Sequence, residues 1–417
     1  MNQPLEVRSS AALVAERLIG IDILRGLAVL VVVMNHTPHY AMGGFRENPW
    51  FFPALLMDYG YLGVPLFVLI SGFCIHRRAS INQLKRGVWS LDWIAFWKRR
   101  FWRLYPPYLA AIVLSVFCAV LLHDKSPGIA ASIGPDTATH LLMVHNLTAD
   151  FSGGLGNAAL WSLGMEEQLY LLYFLLFWMI SRRSHAVAIV IAASTTIAWR
   201  CISSGACHAE LPPLIPNTFG VLGSWGLWPF SFWLHWALGA LAVDAYFGNC
   251  RLPRWCSSLT SGFFIGAIGV LTNRLTFDFL GKTSLASLVD LEALAEYSPR
   301  VSNVGELAFA VAFFCMLNWC VEHKTHFLLQ NFVATLIARI GKVSYSIYLV
   351  HLPIIYTLEK YVPFGHSPVE WILRMVIYVS VSLITGTAFF WLVERWFLAG
   401  RCPQLRRSQK PVISLGN

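Results

Sequence analysis

The chain has 417 residues, of which 56% are hydrophobic and only 13% are charged, and its mean hydropathy is +0.57. Soluble proteins have about 25% charged residues, so the composition excludes an ordinary water-soluble protein and indicates a polytopic membrane protein. The net charge of +9 does not indicate a nucleic-acid-binding protein, because the basic residues flank apolar segments and no nucleic-acid-binding motif accompanies them.

Ten apolar segments follow one another along the chain, and they predict an all-α bundle of about ten transmembrane helices. The segments are 18–38, 58–75, 104–123, 160–180, 186–201, 223–247, 257–272, 304–320, 343–361 and 371–398. The fifth and seventh are short. We divide the chain into a cytoplasmic N-terminal segment (1–17), a transmembrane domain (18–398) and a basic cytoplasmic tail (399–417).

The positive charges predict the orientation of this bundle. With the N-terminus inside, most Arg and Lys residues fall on the inner connections, and Arg77, Arg78, Lys85 and Arg86 share one of them. The positive-inside rule then places both termini in the cytoplasm, as expected for a multi-pass protein of the inner (plasma) membrane. The first 17 residues lack the pattern of a cleaved signal peptide, so we expect the first helix to be retained.

The first apolar segment carries four polar side chains, Asp22, Arg25, Asn35 and His36. A charged Arg at the centre of a membrane helix costs about 2.5–3.5 kcal/mol on insertion scales. Arg25 and His36 are 11 residues apart, so they share one helix face at a separation of about 16 Å along the axis, and Asp22 can pair with Arg25. This face suits one of two arrangements. Either it faces a polar cavity, or Asp22 and Arg25 form a structural ion pair while His36 makes a hydrogen bond to a neighbouring helix.

A second stretch, 98–108, joins basic and aromatic residues at the inner end of the third segment, with Pro106 and Pro107 predicted to interrupt its helix. Its candidate binding residues are Lys98, Arg99, Arg100, Arg103 and Tyr105. One interpretation is an anchor at the lipid headgroups. The other is a clamp for the phosphates of a polyanionic cytosolic ligand, because clustered guanidinium groups bind phosphate bidentately.

A third stretch, 161–170, contains the adjacent carboxylates Glu166 and Glu167. Neighbouring residues of a helix point about 100° apart, so only one of the two can face a cavity directly. A carboxylate in a membrane helix is a functional candidate by default. The alternative is that it pairs with an Arg or a His of another helix.

A fourth stretch, 340–353, carries Lys342, Ser344, Tyr345, Tyr348 and His351 in an otherwise apolar span. Ser344, Tyr348 and His351 have the spacing i, i+4, i+7 and therefore share a face. These side chains suit either a site or hydrogen bonds between helices, which are common in membrane bundles.

The segment Gly63–Phe73, with the preceding Gly60, predicts close helix packing. Glycines at 60, 63 and 72 let another helix approach, and Ser71 lies among them.

In this order the stretches resemble the membrane-bound acyltransferase-3 family, which includes bacterial O-antigen and exopolysaccharide O-acetyltransferases. The resemblance covers nearly the whole chain. It is carried by D-x-x-R-G-x9-H at Asp22–His36, G-V-x-L-F-V-L-x-S-G-F at Gly63–Phe73, R-R-x-x-R-x-Y-P at Arg99–Pro106, W-S-L-x-x-E at Trp161–Glu166, and I-G-x-x-S-Y-S-I-Y-L-x-H at Ile340–His351. Many members carry an appended periplasmic esterase-like domain, and we expect this chain to lack one.

The resemblance implies transfer of an acetyl or other short acyl group from cytosolic acyl-CoA to a hydroxyl of a glycan or a lipid-linked sugar. It implies His36 as general base, with Arg25 orienting the donor or polarising the thioester, and Glu166 orienting His36 or binding acceptor hydroxyls. An acyl-histidine intermediate stays open, and no metal is expected. The basic stretch, Lys98 to Tyr105, would bind the CoA. Asp22, Ser71, Glu167, Tyr345, Tyr348 and His351 would support the site.

Two other function classes remain open from the residues. A buried His, Arg and Glu set also suits a proton-coupled exporter of an anionic metabolite or glycan, and an assembly subunit would not need His36. For an enzyme, the outer connection 124–159, with His140 and His145, is our first expectation for acceptor contacts. Cys201 and Cys207 are near enough in sequence to pair in an oxidising periplasm.

Overall fold

The computed structural model describes residues 18–41, 57–122, 127–206, 225–273, 291–322, 331–362 and 368–398. The two cytoplasmic segments predicted at 1–17 and 399–417, and Cys207, lie outside these residues. The described part is helical. Its longer helices are α1 (Ile19–Ala41), α2 (Gly63–Arg86), α3 (Trp93–Leu122), α4 (Pro127–Leu141), α5 (Trp161–Arg182), α6 (His185–Ala206), α7 (Trp233–Tyr246), α8 (Leu259–Leu271), α9 (Leu291–Glu322), α10 (Phe332–Lys342), α11 (Ser344–Tyr361) and α12 (Pro368–Leu392).

Seven of the described helices are long and apolar enough to cross a membrane, and α10 with α11 form a pair bent by 78° that raises the number to eight if it counts as one span. The sixth and seventh segments of the sequence coincide with the shorter helices α7, of 14 residues, and α8, of 13 residues. The multi-span character is therefore confirmed, and the number ten and the orientation of the termini stay predictions.

Helix α2 lies at the centre of the bundle. One side, with Leu69 and Phe73, packs in an apolar cluster with α7 and α9. Another side, with Val68 and Ile75, packs against Leu169 and other residues of α5. Burial on several sides explains why the first half of α2, Gly63–Ile75, is near-continuously apolar and has no single apolar stripe.

Small residues set the distance between α2 and its neighbours, as the sequence predicts. A Cβ on Gly60 or Gly63 would overlap backbone carbonyl oxygens of α1, and one on Gly72 would overlap the carbonyl of Trp236 in α7. At these contacts the helices meet backbone to backbone, and no larger side chain fits without a shift.

Helix α3 corrects one prediction. The helix runs through Pro106 and Pro107 without ending, whereas the sequence predicts an interruption there. Membrane helices tolerate proline where neighbouring helices satisfy the local backbone groups. The prolines leave the carbonyl oxygens of Trp102 and Arg103 without a donor from their own helix. The hydroxyl of Tyr345, on α11, donates to the carbonyl oxygen of the next residue, Leu104, at 3.0 Å.

Candidate active site

An interior cavity lies between α1, α2, α3, α5, α11 and the short helical turn Glu394–Phe397 that follows α12. Its empty volume, including the part open to solvent, is about 880 Å³. All five stretches that carry the resemblance contribute to its wall. From these stretches come Arg25, Val64, Phe67, Val68, Ser71, Arg100, Arg103, Leu104, Ser162, Leu163, Met165, Glu166, Gly341, Lys342, Ser344, Tyr345 and Tyr348. The fold thus brings together segments that are far apart in sequence.

The charged part of the wall is predominantly basic. Four of the lining residues, Arg25, Arg100, Arg103 and Lys342, are cationic, and two, Glu166 and Glu394, are acidic. The Arg25 guanidinium donates to the sulfur of Cys74, another lining residue, at 3.5 Å. A basic wall of this kind attracts an anionic ligand, and its arginines present paired N–H groups to phosphate or carboxylate.

Glu394 is an acidic member of this wall that the sequence reasoning missed. Its carboxylate is buried and accepts a hydrogen bond from the Ser346 hydroxyl at 2.5 Å. The guanidinium groups of Arg103 and Arg25 interact favourably with this carboxylate. The available signal was a carboxylate within the tenth apolar segment, which is costly unless it is paired.

Glu166 has two hydroxyl partners in the cavity wall. Ser71 donates to one of its carboxylate oxygens at 2.5 Å, and Tyr170 donates to the same oxygen at 2.6 Å. Glu167 is not among the lining residues, as expected for neighbours that point about 100° apart. Tyr170 lies in the third sequence stretch but was not among the predicted site residues.

A second hydroxyl pair lies in the same wall. The hydroxyl oxygens of Ser162 and Tyr348 are 2.6 Å apart, and the Tyr348 hydroxyl also donates to the carbonyl oxygen of Ala159 at 3.0 Å. This pair connects α5 to α11 and holds the Tyr348 ring at the cavity wall.

His36 is next to His351, beyond the residues that line the cavity. Nδ1 of His36 is 3.1 Å from Nε2 of His351, and the ring centroids are 5.0 Å apart. The His351 ring is in turn 5.5 Å from the Tyr348 ring. Tyr348 therefore lies between the cavity and the two histidines. Asn35 fixes this end of α1 by donating to the carbonyl oxygens of Met57 and Asp58 at 2.9 and 3.1 Å.

Only some of the candidate binding residues in the basic stretch of α3 line the cavity. Arg100 and Arg103, three residues apart, face the cavity, whereas Lys98, Arg99 and Tyr105 are not among its lining residues. The physical reason is the helix period. Arg100, Arg103 and Leu104 have the spacing i, i+3, i+4 and share one face, whereas Lys98 and Tyr105 fall on the opposite side of the helix and Arg99 falls at the edge of that face. The Tyr105 hydroxyl donates instead to the carbonyl oxygen of Leu141.

The described part of the connection between α3 and α5, residues 127–159, packs onto the bundle, and the Tyr108 hydroxyl of α3 donates to the carbonyl oxygen of His140. His140 and His145 are fully buried, and their rings stack with centroids 3.9 Å apart. Burial, with a smaller contribution from His140, lowers the pKa of His145 to about 3. Contacts between this connection and an acceptor stay a prediction, and these two imidazoles are packed inside the protein.

Within the described ranges, no group of three or more His, Cys, Asp or Glu side chains is arranged to hold a metal ion. Of the supporting residues predicted, Ser71, Tyr345 and Tyr348 line the cavity. The Asp22–Arg25 ion pair stays a prediction.

Comparisons with known proteins agree with the five-stretch resemblance. The chain is similar to the peptidoglycan O-acetyltransferase OatA of Listeria monocytogenes, with 26% identity over 391 residues, 90% of this chain and 55% of the relative. It is similar to the O-acetyltransferase OatA of Staphylococcus aureus, with 24% identity over 388 residues, 88% of this chain and 54% of the relative. The chain thus spans about half the length of these curated relatives.

No solved structure matches the chain significantly. A family model described as an acyltransferase domain matches residues 18–391, which covers almost all of the residues that build the cavity. The chain therefore belongs to the acyltransferase-3 family.

Proposed function

We propose that the protein is a membrane O-acyltransferase that moves an acetyl or other short acyl group from acyl-CoA to a hydroxyl of a cell-surface or secreted glycan. The observation that carries this proposal is the convergence of all five stretches on one cavity next to the His36–His351 pair. The curated relatives are named as O-acetyltransferases, one of them of peptidoglycan, which supports a glycan as the acceptor class.

The basic wall supports acyl-CoA as the donor. A CoA carries several phosphate charges, and Arg100, Arg103 and Lys342 offer cations that can bind them. Arg25, one helix away on the same wall, is placed to orient the donor or to polarise the thioester carbonyl. Because Glu394 offsets part of this positive charge, the wall does not have to keep four unpaired cations inside the bundle.

The histidine pair supports a general-base mechanism. In the proposed reaction His36 takes the proton of the acceptor hydroxyl while the hydroxyl oxygen attacks the thioester carbonyl. The C–S bond breaks, the CoA thiolate takes up the proton that His36 holds, and the products are an ester and free CoA. Glu166, held by Ser71 and Tyr170, orients an acceptor or donor group from the cavity wall.

The test is a transfer assay with the full chain in lipid nanodiscs. Purified protein receives acetyl-CoA and soluble peptidoglycan fragments, and both free thiol and ester-linked acetyl on the glycan are measured. We expect glycan-dependent CoA release by the wild type and at least a 100-fold lower rate for H36A and R25A. Normal transfer by either variant would contradict the assigned roles.

A binding titration identifies the donor class separately. If CoA does not bind to the wild type at all, the acyl-CoA proposal is wrong. Proton-coupled flux of an anionic sugar in proteoliposomes, together with absent CoA binding, would instead support the exporter.

A further inference from the structure

The contact between His36 and His351 defines which ring nitrogen carries a proton. The two rings belong to helices α1 and α11 and meet through Nδ1 of His36 and Nε2 of His351, 3.1 Å apart. A neutral imidazole has one N–H donor and one acceptor nitrogen, so a contact between two rings works only with a donor on one side and an acceptor on the other.

A backbone carbonyl group of α11 determines the tautomer of His351. Its Nδ1 lies 2.7 Å from the carbonyl oxygen of Tyr348, one turn earlier in α11. A carbonyl oxygen only accepts, so Nδ1 of His351 must carry the proton. His351 is fully buried, and a second proton would place a charge in the bundle interior next to another histidine, which is unfavourable. Nε2 of His351 is therefore an acceptor.

Two contacts of Nδ1 determine the tautomer of His36. Its Nδ1 faces the acceptor Nε2 of His351 and also lies 3.0 Å from the carbonyl oxygen of Val32, one turn earlier in α1. Both neighbours are acceptors, so both require a proton on Nδ1 of His36. The opposite tautomer would place three lone pairs against one another in a partly buried contact.

We propose that His351 is a positioning residue that holds His36 in the Nδ1–H tautomer and thereby presents the Nε2 lone pair of His36 as the base. The tautomer follows from the geometry alone, and its use as a base rests on the proposed acyltransferase function. The role is similar to that of the residue that orients the histidine in a hydrolase triad, except that a neutral imidazole replaces the carboxylate. When Nε2 takes the acceptor proton, Nδ1–H keeps both of its acceptors.

The tautomer is tested directly by 15N NMR of histidine-labelled protein in nanodiscs at a pH where His36 is neutral, with the His36 signals assigned by their loss in H36Q. Free histidine in water favours a proton on Nε2, so the expected result, a protonated Nδ1 and an unprotonated Nε2, is the less usual one. A proton on Nε2 of His36 would overturn the proposal. This readout needs no acyl transfer, so it decides the tautomer even if the proposed function fails.

Two replacements of His351 test the role in turnover. In His351→Gln the side-chain amide oxygen can replace Nε2 as acceptor, whereas His351→Leu has a similar volume and no acceptor. We expect kcat to fall about 10–100-fold in the Leu variant and no more than about 3-fold in the Gln variant, with the KM for acetyl-CoA unchanged in both. Equal losses in the two variants, or a loss seen mainly in KM, would mean that His351 is only a packing residue.

Discussion

Gly341 and Asp22 are in backbone contact, because a Cβ on Gly341 would overlap the Asp22 carbonyl oxygen and approach Gly26. The contact fixes α10 against the N-terminal end of α1. Gly341 and Lys342 line the cavity on one side of this contact, and Arg25 lines it on the other. The distance between the two helices therefore sets the position of two of the four cations.

Gly341→Ala should destabilise the protein and lower its activity, because the added methyl group forces α10 away from α1. Overpacking of a rigid contact costs about 1–3 kcal/mol. We expect a lower thermal unfolding temperature in detergent and weaker binding of CoA. The matched control is Gly266→Ala in α8, where an added Cβ meets only the Cβ of Ala312 at 3.6 Å, an ordinary van der Waals distance, and the helix gains about 0.5–1 kcal/mol of propensity. A Gly341→Ala protein as stable as this control would contradict the contact.

Arg103→Ala should weaken the binding of CoA about tenfold or more, because Arg103 lines the cavity and a charged hydrogen bond contributes about 1.5–3 kcal/mol. Lys98→Ala is the control. Lys98 is exposed and lies on the same helix outside the cavity wall, so we expect less than a threefold change. Isothermal titration of both variants in nanodiscs measures the difference. Equal weakening by both would favour a diffuse basic surface over a clamp.

Glu166→Gln should lower kcat about 10–100-fold without unfolding the protein, since the amide keeps the shape and removes the charge that Ser71 and Tyr170 hold. Glu167→Gln is the adjacent control, because Glu167 does not line the cavity, and its rate should stay within about threefold of the wild type. Initial rates of acetyl transfer to the glycan distinguish the two. If Glu167→Gln is the more damaging change, the assignment of the cavity-facing carboxylate is wrong.

The sequence singles out residues whose cost in a membrane is high, and two of these residues lie at the cavity. Arg25 and Glu166 stand out in apolar segments, and both line the cavity. The spacing rule also separates Glu166 from Glu167. Such residues are recognisable because an intramembrane charge needs a partner or a polar cavity, whatever the rest of the fold.

Other features of the site depend on how the helices pack. A single segment of the sequence holds no information about that packing. Lys98 and Tyr105 have the same chemistry as residues of the cavity wall but point away from it. Glu394 follows α12 in sequence and reaches the cavity only because that turn folds back towards Arg103. The pairing of His36 with His351 likewise joins positions 315 residues apart.

The fold likewise has features that the sequence predicts and features that it does not. Hydropathy predicts the long spans, but the 78° bend between α10 and α11 occurs at a short break, Val343, inside a continuous motif. Helix α3 also runs through Pro106 and Pro107, although each proline removes the backbone donor for the carbonyl oxygen one turn earlier. Local propensity alone predicts neither feature.

His145 should make the stability of the protein sensitive to acid. Its pKa is lowered to about 3 in the folded protein, against about 6.5 in an unfolded chain. Between these values the unfolded state binds more protons, so the stability is complete above about pH 6.5 and declines as the pH falls towards 3. We expect the thermal unfolding temperature to fall between pH 7.5 and pH 5. In His145→Phe, which can still stack on His140 but cannot titrate, the fall should be smaller, whatever the effect of the substitution at pH 7.5. Parallel pH curves for the two proteins would show that other groups cause the acid sensitivity.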